Sequence, residues 1–222
     1  MMELKKFRNK YDLELIPASH ENIILGTLIW DPLIGKPRFE YNGMPENIFN
    51  AFLDANLITE LKWNKFISDI NEEKIVDAHL AERIINIDTT TAITLDYPTI
   101  GRIQNDFGME KVSKFSFGDL QVRTLSNLTR MRIDSFLEIL KIEKWNKYDG
   151  KIRRVFMITE LYYGSIKLIT NTQWKNELDT TISEFDLDLK NSTEYGRSVE
   201  YTFDHKNVPF AMRIERVRDF NG

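Results

Sequence analysis

The residues that could bind a metal ion or transfer protons are few and lie far apart in the chain. The three histidines are His20, His79 and His205, and none belongs to an HExxH or HxH pattern. Asp77, His79 and Glu82 are close in sequence, but no residue at a suitable spacing supplies a fourth zinc ligand. We interpret this group as a polar turn exposed to solvent, and the sequence predicts no metal site.

Motifs of nucleotide-binding and nucleophilic enzymes are also missing from the sequence. It contains no Walker A, GxGxxG, GxSxG or CxxC pattern. The tripeptide ELK at Glu60–Lys62 occurs in metal-dependent nucleases, but no acidic partner precedes it on a strand, and an exposed helix face explains it better. The chain has no cysteine, which excludes disulfides, thiolate metal sites, cysteine nucleophiles and S-palmitoylation. The sequence therefore predicts a protein that is not an enzyme and binds no cofactor.

The composition is that of a globular protein. The chain has 222 residues, of which 42% are hydrophobic and 29% are charged, and its net charge is −4. The net charge gives no basic footprint for nucleic acid. No window approaches the roughly 18 consecutive apolar residues of a transmembrane helix, and the N-terminus lacks the apolar region of a signal peptide. We expect a cytoplasmic protein that forms a single domain over residues 1–222.

Three amphipathic helices are predicted among strands that are mostly neighbours in sequence. The helices cover Pro45–Leu57, a stretch that begins with Ser126 as N-cap, and a stretch from about Asn176 to Leu189. This order of elements favours an α+β fold with a twisted, largely antiparallel central sheet and packed helices.

Two regions share the layout strand, insertion, strand. The first segment, Arg83–Val122, begins with a strictly alternating stretch and returns through a strand with Phe115 and Phe117 on one face. The alternating stretch predicts a strand over Ile85–Leu95. One face of that strand carries Ile85, Ile87, Thr89, Thr91, Ile93 and Leu95, and the other carries Asn86, Asp88, Thr90, Ala92, Thr94 and Asp96.

The second segment, Val155–Asp204, begins with a stretch rich in β-branched and aromatic residues. We interpret this stretch as two strands joined by a turn at Gly164-Ser165. The predicted helix from Asn176 follows, and the segment closes with a strand on which Val199, Tyr201 and Phe203 alternate with polar residues.

Basic residues stand beside aromatic ones at Lys5–Tyr11 and Lys151–Phe156. Such clusters can contact the phosphates of lipids or of nucleic acids. Taken alone, each is more typical of an ordinary charged surface.

The order of these features resembles the pore-forming domain of the gasdermin family in its bacterial or other microbial form. The resemblance depends on LELIPA near the start, LGTLIWDPL after it, the RRVFMITELYYGSIKLIT stretch and the closing HKNVPFAMRIERV. It covers nearly the full chain. It implies a membrane pore-forming cell-death effector that oligomerises on an acidic lipid membrane once inhibition is lifted, moving from the cytoplasm to that membrane.

The resemblance also implies roles for individual residues. The two segments would become β-hairpins of a large barrel, and the roughly 9–11 residues of a tilted membrane strand match Ile85–Leu95. The residues that we expect to contact lipid heads are Lys5, Lys6, Arg8, Lys10, Arg153 and Arg154. The residues that we expect on membrane strands are Ile85, Ile87, Thr89, Thr91, Ile93, Leu95, Phe115, Phe117, Val199, Tyr201 and Phe203.

Two departures from the family pattern concern regulation. The chain lacks the N-terminal cysteine that is lipidated in bacterial relatives, and only RDFNG follows PFAMRIERV, where an inhibitory segment is expected. We expect either that this chain is a trimmed form left by an activating protease, or that a partner chain supplies the inhibition. The alternative to a pore-former is a soluble α+β protein-interaction module, such as an immunity or regulatory protein that binds another protein through its sheet.

Overall fold

The structure is a computed structural model that describes residues 2–16, 23–30, 45–93, 95, 97–143, 154–204 and 208–220. The helices are α1 (Met2–Tyr11), α2 (Ile48–Asp54), α3 (Glu60–Asn71), α4 (Thr89–Ala92), α5 (Pro98–Arg102), α6 (Asn127–Glu143) and α7 (Lys175–Glu184). The strands are β1 (Glu14–Leu15), β2 (Leu28–Trp30), β3 (Ile75–Asp77), β4 (Ile85–Ile87), β5 (Val112–Thr124), β6 (Val155–Asn171), β7 (Leu189–Tyr195), β8 (Ser198–Phe203) and β9 (Ala211–Arg216). This is an α+β fold with a large antiparallel sheet and packed helices, as predicted.

The chain divides into two compact units, each assembled from separate stretches of sequence. Unit 1 comprises Met1–Glu21, Val76–Val122 and Tyr162–Ala211, and unit 2 comprises the remainder. The prediction of a single domain over residues 1–222 concerns independent folding, which this division does not test.

Unit 2 is held by aromatic packing among its helices. The rings of Phe49 in α2 and Phe66 in α3 are stacked with their centroids 5.1 Å apart. Phe52 of α2 lies 5.3 Å from Phe136 of α6. The start of α6 is the predicted one, because the Ser126 hydroxyl accepts a hydrogen bond of 3.3 Å from the backbone N–H of Thr129.

Unit 1 contains most of the strands of the two predicted segments. In the first segment, β4 pairs antiparallel with β5, which places Ile85 opposite Phe117 and Ile87 opposite Phe115. In the second, β8 pairs antiparallel with the end of β6 on one side and with β7 on the other. The core-facing residues of β8 are the alternating ones predicted from the sequence, Val199, Tyr201 and Phe203.

The predicted strand over Ile85–Leu95 is wrong at Thr89–Ala92, which form a helix. The Asp88 carboxylate accepts a 2.8 Å hydrogen bond from the backbone N–H of Thr91 and a 2.6 Å hydrogen bond from its hydroxyl. Asp88 is therefore the N-cap of a one-turn helix, α4. Helix formation carries Thr91 and Ala92 into the core in place of strict alternation.

The predicted turn at Gly164-Ser165 is also wrong, because β6 runs without interruption from Val155 to Asn171. The glycine has a different purpose in the fold. A Cβ atom at Gly164 would lie 2.8 Å from the carbonyl oxygen of Gly118 in β5. Gly164 thus permits a close approach of two strands rather than a chain reversal.

The third predicted helix ends earlier than its apolar pattern indicates. Leu178 and Ile182 are buried on α7, but the helix ends at Glu184 and Leu189 belongs to β7. Asp186 has a φ of 48°, a left-handed conformation that commonly follows the last turn of a helix.

Candidate functional site

The N-terminal basic residues lie on α1, in unit 1. Lys5 and Lys6 lie on this helix, but the structure does not describe their side chains. Arg8 forms an ion pair through its Nε with Glu14 of β1. Arg8, which we expected to contact a lipid head group, therefore has a carboxylate partner in this conformation.

Lys10 is held by a second carboxylate. Its Nζ donates to the Tyr11 hydroxyl at 2.9 Å and lies 3.0 Å from Oε1 of Glu82. The Tyr11 hydroxyl donates in turn to Oε2 of Glu82 at 3.0 Å. We call these three residues the Glu82 cluster.

The hydrogen bonds of the Glu82 cluster favour the charged forms of both ionisable partners. The bond with Tyr11, followed by that with Glu82, raises the pKa of Lys10 above its ordinary value. The bond from Lys10, followed by that from Tyr11, lowers the pKa of Glu82. Both side chains are open to solvent, so the cluster is an accessible ion pair and not a buried one.

The second predicted basic group falls mostly outside the described residues. Lys151, Ile152 and Arg153 lie there, whereas Arg154 is half-buried immediately before β6. The lipid-binding role of these residues stays a prediction.

Most of the predicted membrane-strand residues lie in one hydrophobic core in unit 1. The core members are Ile85, Ile87, Leu95, Phe115, Phe117, Val199, Tyr201 and Phe203, and Ile93 packs against them. Thr91 is buried as well, and Thr89 is half-buried. A lipid-facing strand and a core strand require the same apolar pattern, so this burial does not distinguish between the two interpretations.

The sequence of α4 has a low helix propensity. Its four residues are Thr-Thr-Thr-Ala, and each threonine costs about 0.5 kcal/mol relative to alanine in a helix. A helix of one turn is far shorter than the roughly 12–15 residues that an isolated helix needs in water. The Asp88 cap and the burial of Thr91 and Ala92 therefore hold α4, and intrinsic propensity does not.

The rest of the first insertion is also made of short helical pieces. The five residues of α5 run into a π-helical turn over Ile103–Phe107, which ends at Gly108 with a φ of 97°. Ile100, Ile103 and Phe107 bury their side chains in the unit 1 core. The insertion is packed through side chains but contains little regular backbone structure.

Two polar clamps join the first segment to the second. In one clamp, Lys111 pairs with Glu177, and its Nζ lies 5.1 Å from the ring centre of Phe107 and 4.9 Å from that of Trp174. The Thr170 hydroxyl also donates to the carbonyl oxygen of Lys111 at 2.8 Å.

The other clamp is centred on Asp119, in β5. Its Oδ2 accepts hydrogen bonds from the Ser165 hydroxyl at 3.0 Å and from Nζ of Lys190 at 3.1 Å, so one carboxylate connects β5, β6 and β7. Partial burial raises the pKa of Asp119, but the hydrogen bonds from Lys190 and Ser165 outweigh that effect and leave the pKa below its ordinary value. Asp119 also has a left-handed backbone with a φ of 49°.

Of the residues that matter in this geometry, sequence reasoning missed Glu82, Asp88 and Asp119. Asp88 could have been found, because an aspartate followed by a run of threonines is an N-cap signal. The partners of Glu82 and Asp119 are distant in sequence, and no local pattern indicates them.

Asp77, His79 and Glu82, which we interpreted from the sequence as an exposed polar turn, do not form a metal-binding group. Glu82 is engaged by Lys10 and Tyr11, and in the described part of the chain no three His, Cys, Asp or Glu side chains are grouped so as to hold a metal ion. His20 and His205 lie outside the described residues.

Comparison with protein-family models and with curated proteins gives no match for this chain. Within the described residues, no helix combines the length and the apolar character that crossing a membrane requires.

Proposed function

We propose that this protein is a membrane pore-forming effector of cell death. In this proposal the released protein binds an acidic membrane, oligomerises, and converts the first and second segments into β-hairpins of a barrel. It carries out no enzymatic reaction and needs no cofactor. Before release it is cytoplasmic and is held inactive by a partner chain or until proteolysis.

The observation that carries the proposal is the disagreement between sequence period and local structure over Ile85–Leu95. The sequence alternates as a strand throughout, yet β4 covers Ile85–Ile87 and the chain turns helical over Thr89–Ala92. Agreement between local preference and global fold is the rule in proteins with a single stable structure. A segment that violates it is suited to a second conformation, in which the strand period is satisfied.

The dimensions of this stretch fit the second conformation. Eleven residues in a strand span about 36 Å, and a tilt of about 45° reduces the rise along the barrel axis to about 25 Å. Outer-membrane barrels present an apolar band of about the same height. The alternation would then direct Ile87, Thr89 and Thr91 to lipid and Asp88 and Thr90 to the lumen.

The charged pair of the Asp119 clamp is open to solvent. Lys190 and Asp119 are each about half exposed, at 44% and 51%. Pairs of this kind contribute on the order of 0.2–1 kcal/mol each. The Lys190–Asp119 pair therefore adds little to the resting arrangement, and conversion would mainly have to expose the hydrophobic core of unit 1.

Dye release from liposomes tests the proposal. Released protein should permeabilise vesicles that contain phosphatidylserine and should act more weakly on phosphatidylcholine alone. The reason is that each basic residue near an anionic surface contributes about 1 kcal/mol to binding. No leakage from either vesicle, by folded and uninhibited protein, would exclude pore formation.

A matched pair of variants tests the contribution of α1. Lys5→Gln with Lys6→Gln should reduce leakage from acidic vesicles by about thirtyfold, because two contributions of about 1 kcal/mol add to about 2 kcal/mol of membrane binding. Lys62→Gln with Lys65→Gln makes the same change in net charge on exposed positions of α3. Equal losses in the two pairs would mean that α1 has no special role.

One observation favours the interaction-module alternative. All seven residues of β7 are exposed, and among the described strands β7 pairs only with β8. An exposed edge offers backbone hydrogen bonds to an added strand. A monomer that resists proteolysis, ignores lipid and binds a partner through Leu189–Tyr195 would support this alternative.

A further inference from the structure

The Glu82 cluster joins the last turn of α1 to the residue directly before the first segment. Glu82 precedes Arg83, and its partners Lys10 and Tyr11 are separated from it by 72 and 71 residues. A membrane contact made by α1 and the anchorage of the first segment therefore share one set of hydrogen bonds.

We propose that Glu82 occupies the place of a lipid phosphate in the resting protein. When α1 meets an acidic membrane, Lys10 exchanges the Glu82 carboxylate for a phosphate oxygen. This exchange removes the cation from Glu82 and loosens the start of the first segment. The inference rests on the proposed function, since it assigns a regulatory step to the same membrane-binding helix.

The exposure of the pair makes the exchange feasible without unfolding. The Lys10 side chain is 55% exposed and the Glu82 side chain is 43% exposed, so a phosphate can approach Nζ and the released carboxylate can be hydrated. Arg8 and Glu14 form a contrasting pair, because the Glu14 side chain is only 15% exposed. A charge left unpaired there would be poorly hydrated.

Tyr11 gives the exchange an intermediate state. After Lys10 leaves, Glu82 still accepts the hydrogen bond from the half-buried Tyr11 hydroxyl, which is 3.0 Å long in the resting form. The anchor therefore weakens from a charged contact to a single hydrogen bond and does not vanish. The first segment therefore loosens only after α1 has reached the membrane.

Vesicle co-sedimentation tests the exchange separately from pore formation. Glu82→Gln should bind mixed phosphatidylserine–phosphatidylcholine vesicles about threefold to fivefold more tightly than the wild type, because Lys10 no longer has a competing carboxylate. Glu184→Gln is the matched control, since Glu184 is an exposed glutamate on α7 and the change in net charge is the same. We expect the gain in vesicle affinity of Glu184→Gln to be less than half that of Glu82→Gln.

A double-mutant cycle with Lys10→Gln supplies the specific readout. In the Lys10→Gln background, Glu82→Gln should give no more gain than Glu184→Gln. The exchange is wrong if the Glu82→Gln gain persists without Lys10, if the two glutamate variants gain equally, or if no variant binds these vesicles. Matching melting temperatures confirm that every variant is folded.

Leakage separates the two proposals. Binding that follows the cycle without any dye release would overturn pore formation and leave the exchange standing. Dye release without coupling between Lys10 and Glu82 would overturn the exchange and leave pore formation standing. As a second readout, vesicles should accelerate amide hydrogen exchange at Ile85–Ile87 in the wild type but not in Lys10→Gln.

Discussion

Arginine substitutions at Thr89 and Thr90 test whether Ile85–Leu95 enters the membrane. Thr89 belongs to the face predicted to contact lipid, and Thr90 belongs to the face predicted to line the lumen. The neighbouring Thr91 is a poor choice, because it is 8% exposed and bonded to Asp88, so an arginine there would disrupt the resting fold. Thr89 is half-buried and Thr90 is exposed, so both positions tolerate a long side chain better.

The expected difference follows from depth in the bilayer. Thr89 lies four residues from Ile85, which places it about 9 Å along the axis of a strand tilted by about 45°. In an apolar band about 25 Å tall, that position is near the middle, where an arginine facing lipid costs roughly 2–4 kcal/mol. The penalty applies to every subunit in a ring, so leakage by Thr89→Arg should fall below detection.

The matched variant carries the same charge on the other face. Thr90→Arg should retain most of the leakage activity, because a lumen-facing arginine is hydrated. The assay is dye release from phosphatidylserine vesicles, with a thermal melt of each protein to exclude misfolding. If both variants fold like the wild type and leak equally, Ile85–Leu95 is not a membrane strand and the main support for the pore proposal is lost.

Three further predictions concern stability and composition. Gly164→Ala should lower the free energy of unfolding by about 1–3 kcal/mol, because its Cβ would lie 2.8 Å from the Gly118 carbonyl oxygen. A Cβ atom at Gly101 would meet no neighbouring atom within 4 Å, so Gly101→Ala should be neutral or stabilising. Equal melting temperatures for Gly164→Ala and Gly101→Ala would contradict the packing argument. Glu215→Gln should cost about 1 kcal/mol, since the carboxylate that accepts two 2.8 Å hydrogen bonds from Arg130 becomes a neutral amide with one acceptor oxygen at a partly exposed site. Burial raises the pKa of Glu215, but the hydrogen bonds from Arg130 outweigh burial and leave the pKa below its ordinary value of 4.5. The stabilisation by this pair is therefore present above pH 4.5 and is lost as the pH falls through the folded-state pKa. Wild type and Glu215→Gln should therefore converge in denaturant melts at low pH, and parallel curves would refute the linkage. Finally, purified protein dialysed against buffer should contain no stoichiometric metal by mass spectrometry, whereas metal that is retained and then lost in His79→Ala would overturn that expectation.

Local signals predicted the elements whose structure depends on local contacts. Ser126 was recognisable as the N-cap of α6 because the capping bond to Thr129 spans only three residues. The strand β8 was predictable from its alternation, since Val199, Tyr201 and Phe203 all face one hydrophobic core. Both predictions needed only the chain within a few residues of the element.

The errors arose where a distant contact decides the structure. Gly164 resembles a turn residue in the sequence, and only its closeness to Gly118 in another strand shows why a glycine is needed in β6. The period of Ile85–Leu95 was read correctly, but the Asp88 cap and the core around Thr91 override it. The Glu82 cluster could not be predicted at all, because its ion pair joins residues 72 positions apart.

The N-cap of the one-turn helix α4, Asp88, also has a consequence for the synthesis of this protein. An uncapped Ile85–Leu95 would emerge from the ribosome as a flat, alternating strand with β-branched residues on one face, a pattern prone to intermolecular stacking. Helix α4 cannot protect a nascent chain, because a single turn also needs the burial of Thr91 and Ala92 in the folded core. The charge of Asp88, in contrast, is present as soon as the residue is made. Asp88 then acts as a gatekeeper, because its charge opposes the stacking of this stretch on neighbouring nascent chains. Replacing Asp88 should accordingly reduce the soluble yield in the producing cell more than it reduces the stability of the purified protein.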